Sequence, residues 1–169
     1  MFEGENVTKK IAIGFGALLL LIGVLGFIPA FTPGGRGGAI IRVTTLAADG
    51  ADSLAAGLRA KGPRIVVFKT AGIITLNTPL EIRNSYLTIA GQTAPGDGIT
   101  LRSPENQGNR LLGFRDGVHD VIIRHLHLRS GRGTAGGSDV ITFYSAHDVV
   151  LDHLSISWGN DENIGMSII

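Results

Sequence analysis

From residue 39 onward the chain is written in short apolar runs broken by polar or turn-forming residues. "AIIRVTTL" comes first; after a gap, "RIVVF", "GIITL", "LEI", "YLTIAG", "GITLRS" and "RLLGF" follow, with Gly, Pro, Asn or Thr between them. Runs this short, rich in Ile, Val and Thr and bounded by turn residues, predict β-strands. The exception is "DGADSLAAGLRAKGP". There Ser53 is placed to cap a helix, Leu54 and Leu58 lie one helical turn apart, and Gly62-Pro63 ends it.

The pattern also repeats. "VHDVIIRHLHLR" (118–129) aligns with "AHDVVLDHLSIS" (146–157) at an offset of 28 positions (147 − 119). His119, Asp120, Val121, His125 and Leu126 recur as His147, Asp148, Val149, His153 and Leu154, and "NSYLTIAGQT" (84–93) is a looser copy upstream. Neither Arg124-His125 nor Asp152-His153 is a hairpin dipeptide, so the two strands of each unit meet at a bend and not in an antiparallel turn. A strand-only repeat of this kind predicts coils stacked one on another. The expected fold is all-β, a right-handed parallel β-helix (solenoid). Its helix, Ser53 to Ala60, would cover the open end of the first coil, where unpaired backbone would otherwise face water. His125 and His153 fall at equivalent bends and are predicted to stack as a structural ladder inside the coil. His119 and His147 precede strands and read as turn residues.

The first thirty residues follow another rule. Lys9 and Lys10 precede "IAIGFGALLLLIGVLGFIPA", which carries no charge and no polar face. Such a run is about long enough to span a bilayer, where roughly 20 residues are needed. Two readings stay open for residues 1–32: a signal peptide cleaved after Ala30, or an anchor at residues 11–30. Both send residues 33–169 out of the cytoplasm, secreted or extracytoplasmic. "FTPGGRGG" (31–38) reads as a flexible junction; it lacks the lysine and spacing of a phosphate loop. The formal charge of +1 excludes a nucleic-acid platform, which needs a strong basic bias. The absence of cysteine removes disulfides and thiol chemistry and leaves export open. Membrane contact is expected only through the N-terminal segment, and the protein is expected to be a monomer.

Candidate chemistry gathers near the end of the chain. Asp139 opens the run "DVITF", and Asp161 and Glu162 open "IGMSI", 22 and 23 positions later, about one coil. Stacked coils lie about 4.8 Å apart, so these carboxylates are expected on one edge of one sheet. Carboxylates that close repel unless a cation joins them, and hard oxygen ligands on loops suit calcium. The plainer alternative is that the three acids cap strands and accept backbone hydrogen bonds. Arg129 and Arg132, in "LRSGRGTAGGSD", are candidates for gripping carboxylates through paired hydrogen bonds, against the alternative of a solvated loop. Trp158 either stacks on the flat face of a ligand or packs at the core edge; the second is favoured.

With these residues in view, the chain resembles the bacterial pectate lyases of polysaccharide lyase family one. The likeness runs from about Gly35 to Ile169, through "VTTLAADGADSLAAGLRAKGPRIVVF", "YLTIAGQTAPGDGITL", "VIIRHLHLR", "SDVITF" and "VVLDHLSISWGNDEN". It implies calcium-dependent β-elimination of polygalacturonate or pectin. Calcium bridges enzyme acids and a uronate carboxylate, a base removes the adjacent ring proton, and the glycosidic oxygen on the next carbon leaves. The family's base is usually an arginine on a later coil, beyond Ile169, so this chain alone is expected to lack it and to be inactive. The stop inside "IGMSII" fits an N-terminal part, because a finished solenoid needs a cap. One departure stands out. Members commonly carry a second acid four positions after the first, whereas here Gly165 follows Asp161 at that spacing and Met166 follows Glu162. A different class stays open beside the lyase: a non-catalytic β-helix that binds acidic polysaccharide or forms a surface stalk. A lyase for another uronate also fits the acids.

Overall fold

The computed structural model of the protein describes residues 32–104, 107–131, 133 and 138–167. The expected signal peptide or anchor lies outside them. Among the described residues no helix is long and apolar enough to cross a membrane.

The strands are β1 (Ala39–Val43), β2 (Arg64–Phe68), β3 (Gly72–Thr75), β4 (Leu80–Ile82), β5 (Leu87–Ala90), β6 (Ile99–Arg102) and β7 (Leu112–Phe114), then β8 (His119–Arg124), β9 (Leu126–Arg129), β10 (Ile141–Tyr144), β11 (His147–Asp152), β12 (Ser155–Ser157) and β13 (Ile164–Ser167). They form three sheets, ordered β1-β2-β5-β8-β11, β3-β6-β9-β12 and β4-β7-β10-β13. Each turn of the chain adds one strand to each sheet, and every pairing is parallel. This is the predicted solenoid: β1, then four turns of three strands.

Register turns alternation into a core. In-register rows run Ile41–Val66–Ile89–Ile123–Leu151 in the first sheet, Ile74–Leu101–Leu128–Ile156 in the second, and Ile82–Phe114–Phe143–Met166 in the third. Most of these side chains are buried, and Phe114 stacks on Phe143 with centroids 4.4 Å apart. Like residues stacked at coil spacing line the interior, as a repeat of one strand-turn unit permits.

The helix α1 (Leu54–Arg59) matches the sequence expectation. Ser53 Oγ accepts from the Ala56 N–H at 3.2 Å, and Leu54, Ala55 and Leu58 are buried. Its last carbonyls are satisfied by a residue that patterning did not single out. Arg64, buried at the start of β2, donates to the carbonyls of Gly57, Leu58, Gly62, Asn84 and Ser85 at 2.9–3.1 Å. Burial pushes its pKa down from the ordinary arginine value. The helix end supplies partial negative charge where this cation sits.

The glycine stretch 34–38 differs from the expected flexible junction. Gly35 is buried against β2, where a Cβ would stand 1.7 Å from the Arg64 carbonyl oxygen. The Gly35 N–H donates to Thr88 Oγ1 at 2.9 Å, and Thr32 Oγ1 donates to Asp120 Oδ1 at 3.0 Å. These glycines permit close backbone approach, so the segment packs as part of the fold.

The histidines also correct the sequence reading. His125 and His153 stack with centroids 4.6 Å apart, as a ladder should, but both are exposed and line the outside of the coil. Each has a positive φ, 52° and 51°, and makes the single-residue bend after β8 or β11. That left-handed conformation reverses the side predicted from alternation alone; His is among the non-glycine residues enriched there. His119 and His147 open β8 and β11 rather than forming turns, and they stack too, at 5.2 Å.

Candidate functional site

The third sheet, β4-β7-β10-β13, brings the predicted acids together at the backbone. β10 pairs with β13 at an offset of 23 (164 − 141), the spacing between Asp139 and Glu162. The ladder continues ahead of both strands: the Val140 N–H donates to the Glu162 carbonyl at 3.1 Å, and the Asn160 N–H to the Ser138 carbonyl at 3.2 Å. One coil thus separates the two entry segments, as the sequence spacing implies.

The carboxylates themselves are arranged differently from the expected cluster. Asp139, half-buried, lies over Gly165 on the next coil, where a Cβ would stand 1.9 Å from its Oδ2. Thr142 Oγ1 donates to the same oxygen at 3.1 Å. Asp161 and Glu162 are exposed. Among the described residues no group of three or more His, Asp or Glu side chains is assembled to hold a metal ion. The reason is local. Asp139 is satisfied by Thr142 and the other two acids reach solvent, so like charges are not forced together.

Gly165 gives the sequence departure a structural meaning. It stands four positions after Asp161, where the resembled family commonly has its second acid. A side chain there would occupy the space that the Asp139 carboxylate fills. The donors available are all hard oxygens, which fit calcium chemically; with Asp139 half-buried and Asp161 and Glu162 exposed, they form no closed cage.

Of the two candidate arginines only Arg129 lies among the described residues. Arg129 ends β9, in a different sheet from β10, and its guanidinium donates to the Ser155 carbonyl at 2.6 Å and to Ser155 Oγ at 2.8 Å. Arg132 lies outside the described residues. Trp158 is 60% exposed with φ +67°, so it does not take the core-edge packing role that the sequence reading favours. A bulky residue held at positive φ is uncommon, and this one directly precedes the turn that carries Asp161 and Glu162.

One group on this face has no sequence motif. Glu81 on β4, Gly113 on β7, Thr142 on β10 and Gly165 on β13 form one in-register row. Glu81 pairs with Arg110, Nη2 to Oε1 at 2.7 Å, and with Arg115, Nε to Oε2 at 2.6 Å. These residues come from separate coils at irregular intervals; the only signal was Gly113 inside an otherwise bulky strand, "LGF".

No protein-family model matches the chain. It is 40% identical over 151 residues to a protein of Emericella nidulans named "Probable pectate lyase C", covering 89% of this chain and 34% of that protein. Proteins of the same name from Aspergillus terreus and Aspergillus fumigatus are 38% and 36% identical over the same 89% of this chain and 34% of their own lengths. The sequence resemblance pointed to bacterial members, whereas these relatives are fungal. The chain spans about a third of the length of the curated relatives it matches. Its described residues form a parallel β-solenoid, and the chain is similar to fungal proteins named probable pectate lyase C.

Proposed function

We propose that the chain contributes the acidic-polymer face of a lyase acting on a C5-carboxylated polysaccharide, with polygalacturonate or pectin as first candidate. The observation that carries this is Asp139, seated over Gly165 on the outer face of the third sheet and one coil from the segment bearing Asp161 and Glu162. Similarity to proteins named probable pectate lyase C supports the reaction class.

Asp139, Asp161 and Glu162 would hold calcium. Bound there, the ion would draw charge from a uronate carboxylate and weaken the neighbouring ring C–H bond. Thr142 holds the Asp139 carboxylate in place before any ligand arrives, which limits the ordering needed on binding. Asp161 and Glu162 are exposed and would turn toward Asp139 to complete the site. In the elimination the C5 proton leaves to a base, the C4–O bond breaks, and a C4–C5 double bond forms, with no water consumed. The base is assigned to no residue of this chain, so turnover by this chain alone is expected to be weak. Arg132, seven positions before Asp139 in the sequence, is kept as a contact for a polymer carboxylate. The uncharged run 11–30 supports export or anchoring, and we propose a secreted or extracytoplasmic monomer.

Calorimetry of the chain with calcium and oligogalacturonate tests this reading. Wild type should bind the oligomer more tightly with calcium than without, and Asp139→Ala should lose about tenfold or more of that gain. Equal calcium dependence in the two proteins would refute it. Calcium-dependent binding that survives in a longer chain without elimination would favour the non-catalytic binder.

A further inference from the structure

The Glu81 group does more than join coils. Glu81 points outward, because its neighbours Leu80 and Ile82 are buried. Its single carboxylate is shared by the two arginines flanking β7. Arg110 Nη1 also donates to the Tyr144 hydroxyl at 2.6 Å, and the Arg110 and Arg115 guanidiniums lie 5.5 and 5.6 Å from the centre of the Tyr144 ring. Glu81 fits only because residue 113 is glycine; a Cβ there would stand 2.8 Å from Glu81 Oε2.

One arginine would balance Glu81. Two leave the group itself net positive. Arg110 Nε, Arg115 Nε and Glu81 Oε2 are all buried without a hydrogen bond, the last two meeting only as an ion pair, while the Arg115 side chain as a whole is 41% exposed. Both guanidiniums are held by Glu81 and the Tyr144 ring, so little rotamer freedom is left to lose when an anion arrives. Tyr144 and Thr142 are two residues apart on β10 and share its outer side, and Thr142 is the residue that holds Asp139. The cationic pair and the Asp139 carboxylate therefore belong to one continuous surface. Gly113 and Gly165 lie two strands apart in the sheet order, about 10 Å at strand spacing. That is too far for one carboxylate to touch both.

We infer that Arg110 and Arg115, set by Glu81 and Tyr144, form a carboxylate subsite that takes a second uronate unit of the polymer whose neighbouring stretch meets Asp139. The inference rests on the acidic-polysaccharide reading above and deepens it: the surface selects for free acid at two separated sugar units, once through oxygen donors and once through guanidiniums. Bidentate guanidinium contacts recognise a carboxylate and not its methyl ester, which lacks the charge.

The test is binding of oligogalacturonate and its full methyl ester to the chain in calcium-free buffer, where the acidic residues have no ion to bridge. Wild type should prefer the acid by about tenfold. Arg115→Gln should abolish that preference without changing the thermal midpoint, and Arg115→Lys should restore part of it. A preference unchanged in Arg115→Gln, or absent from wild type, overturns the inference. The calcium-dependent titration of Asp139→Ala is separate: if it alone fails to behave as expected, the metal reading falls and the arginine subsite stands on the calcium-free data.

Discussion

Two outer faces of this solenoid rest on equally regular parallel strands and carry opposite kinds of sequence. On the first sheet and the bend that follows it, residues of the last two coils recur: His119 over His147, His125 over His153 and Asp120 as Asp148, while Arg124 meets its unlike counterpart Asp152 at 3.0 Å. On the third sheet the outer row reads Glu81, Gly113, Thr142, Gly165, with no two chemically alike except the glycines. Glycine in a strand is unfavourable by about 0.5–1 kcal/mol relative to alanine, and this row uses it twice. In both places a carboxylate from the preceding coil fills the space that the missing side chain leaves. Repetition marks where a coil recognises the next coil. Its interruption, at some loss of strand stability, marks where the surface is shaped for something else.

That contrast can be broken from either side. The largest expected effect lies with the fold. Arg64→Met keeps an apolar stem but leaves the carbonyls of Gly57, Leu58, Gly62, Asn84 and Ser85 without their donor. Breaking a buried charged network of this kind is worth on the order of 3–5 kcal/mol, visible as a lower urea midpoint. The protein that remains folded should still bind oligogalacturonate with calcium. A smaller effect on stability, with a large one on binding, is expected from Gly165→Ala. The new methyl group would fall on Asp139 Oδ2, so the carboxylate must move. Calcium-dependent affinity should drop by about tenfold, while overpacking at this outer position should destabilise by roughly 1 kcal/mol. If Gly165→Ala binds normally, the glycine row is structural and the contrast between the faces loses its meaning.

The sequence carried the fold well because the fold is periodic. The repeat at 118–129 and 146–157 reports coil stacking directly, and Ser53, Leu54, Leu58 and Gly62 sit where a short capped helix must have them. Alternation failed at His125 because one residue at positive φ exchanges inside for outside, and nothing in the letters HL announces the bend. The glycines at 34–38 read as a linker since composition cannot distinguish a glycine needed for freedom from one needed for close approach. At the candidate site, spacing placed Asp139 against Glu162 through the backbone, but not the path of the Asp139 side chain across Gly165. Glu81, Arg110, Arg115 and Tyr144 left no trace in the letters beyond the glycine inside "LGF". They converge from different coils, and only the in-register row through Gly113 and Thr142 joins them.

The most direct measurement of the central claim is amide hydrogen exchange of the chain, with and without calcium and oligogalacturonate together. The account predicts added protection at residues 110–115, 139–144 and 160–167, with no change at 119–125 or 147–153. Protection centred on the histidine-bearing face, with the third sheet unaffected, would contradict it.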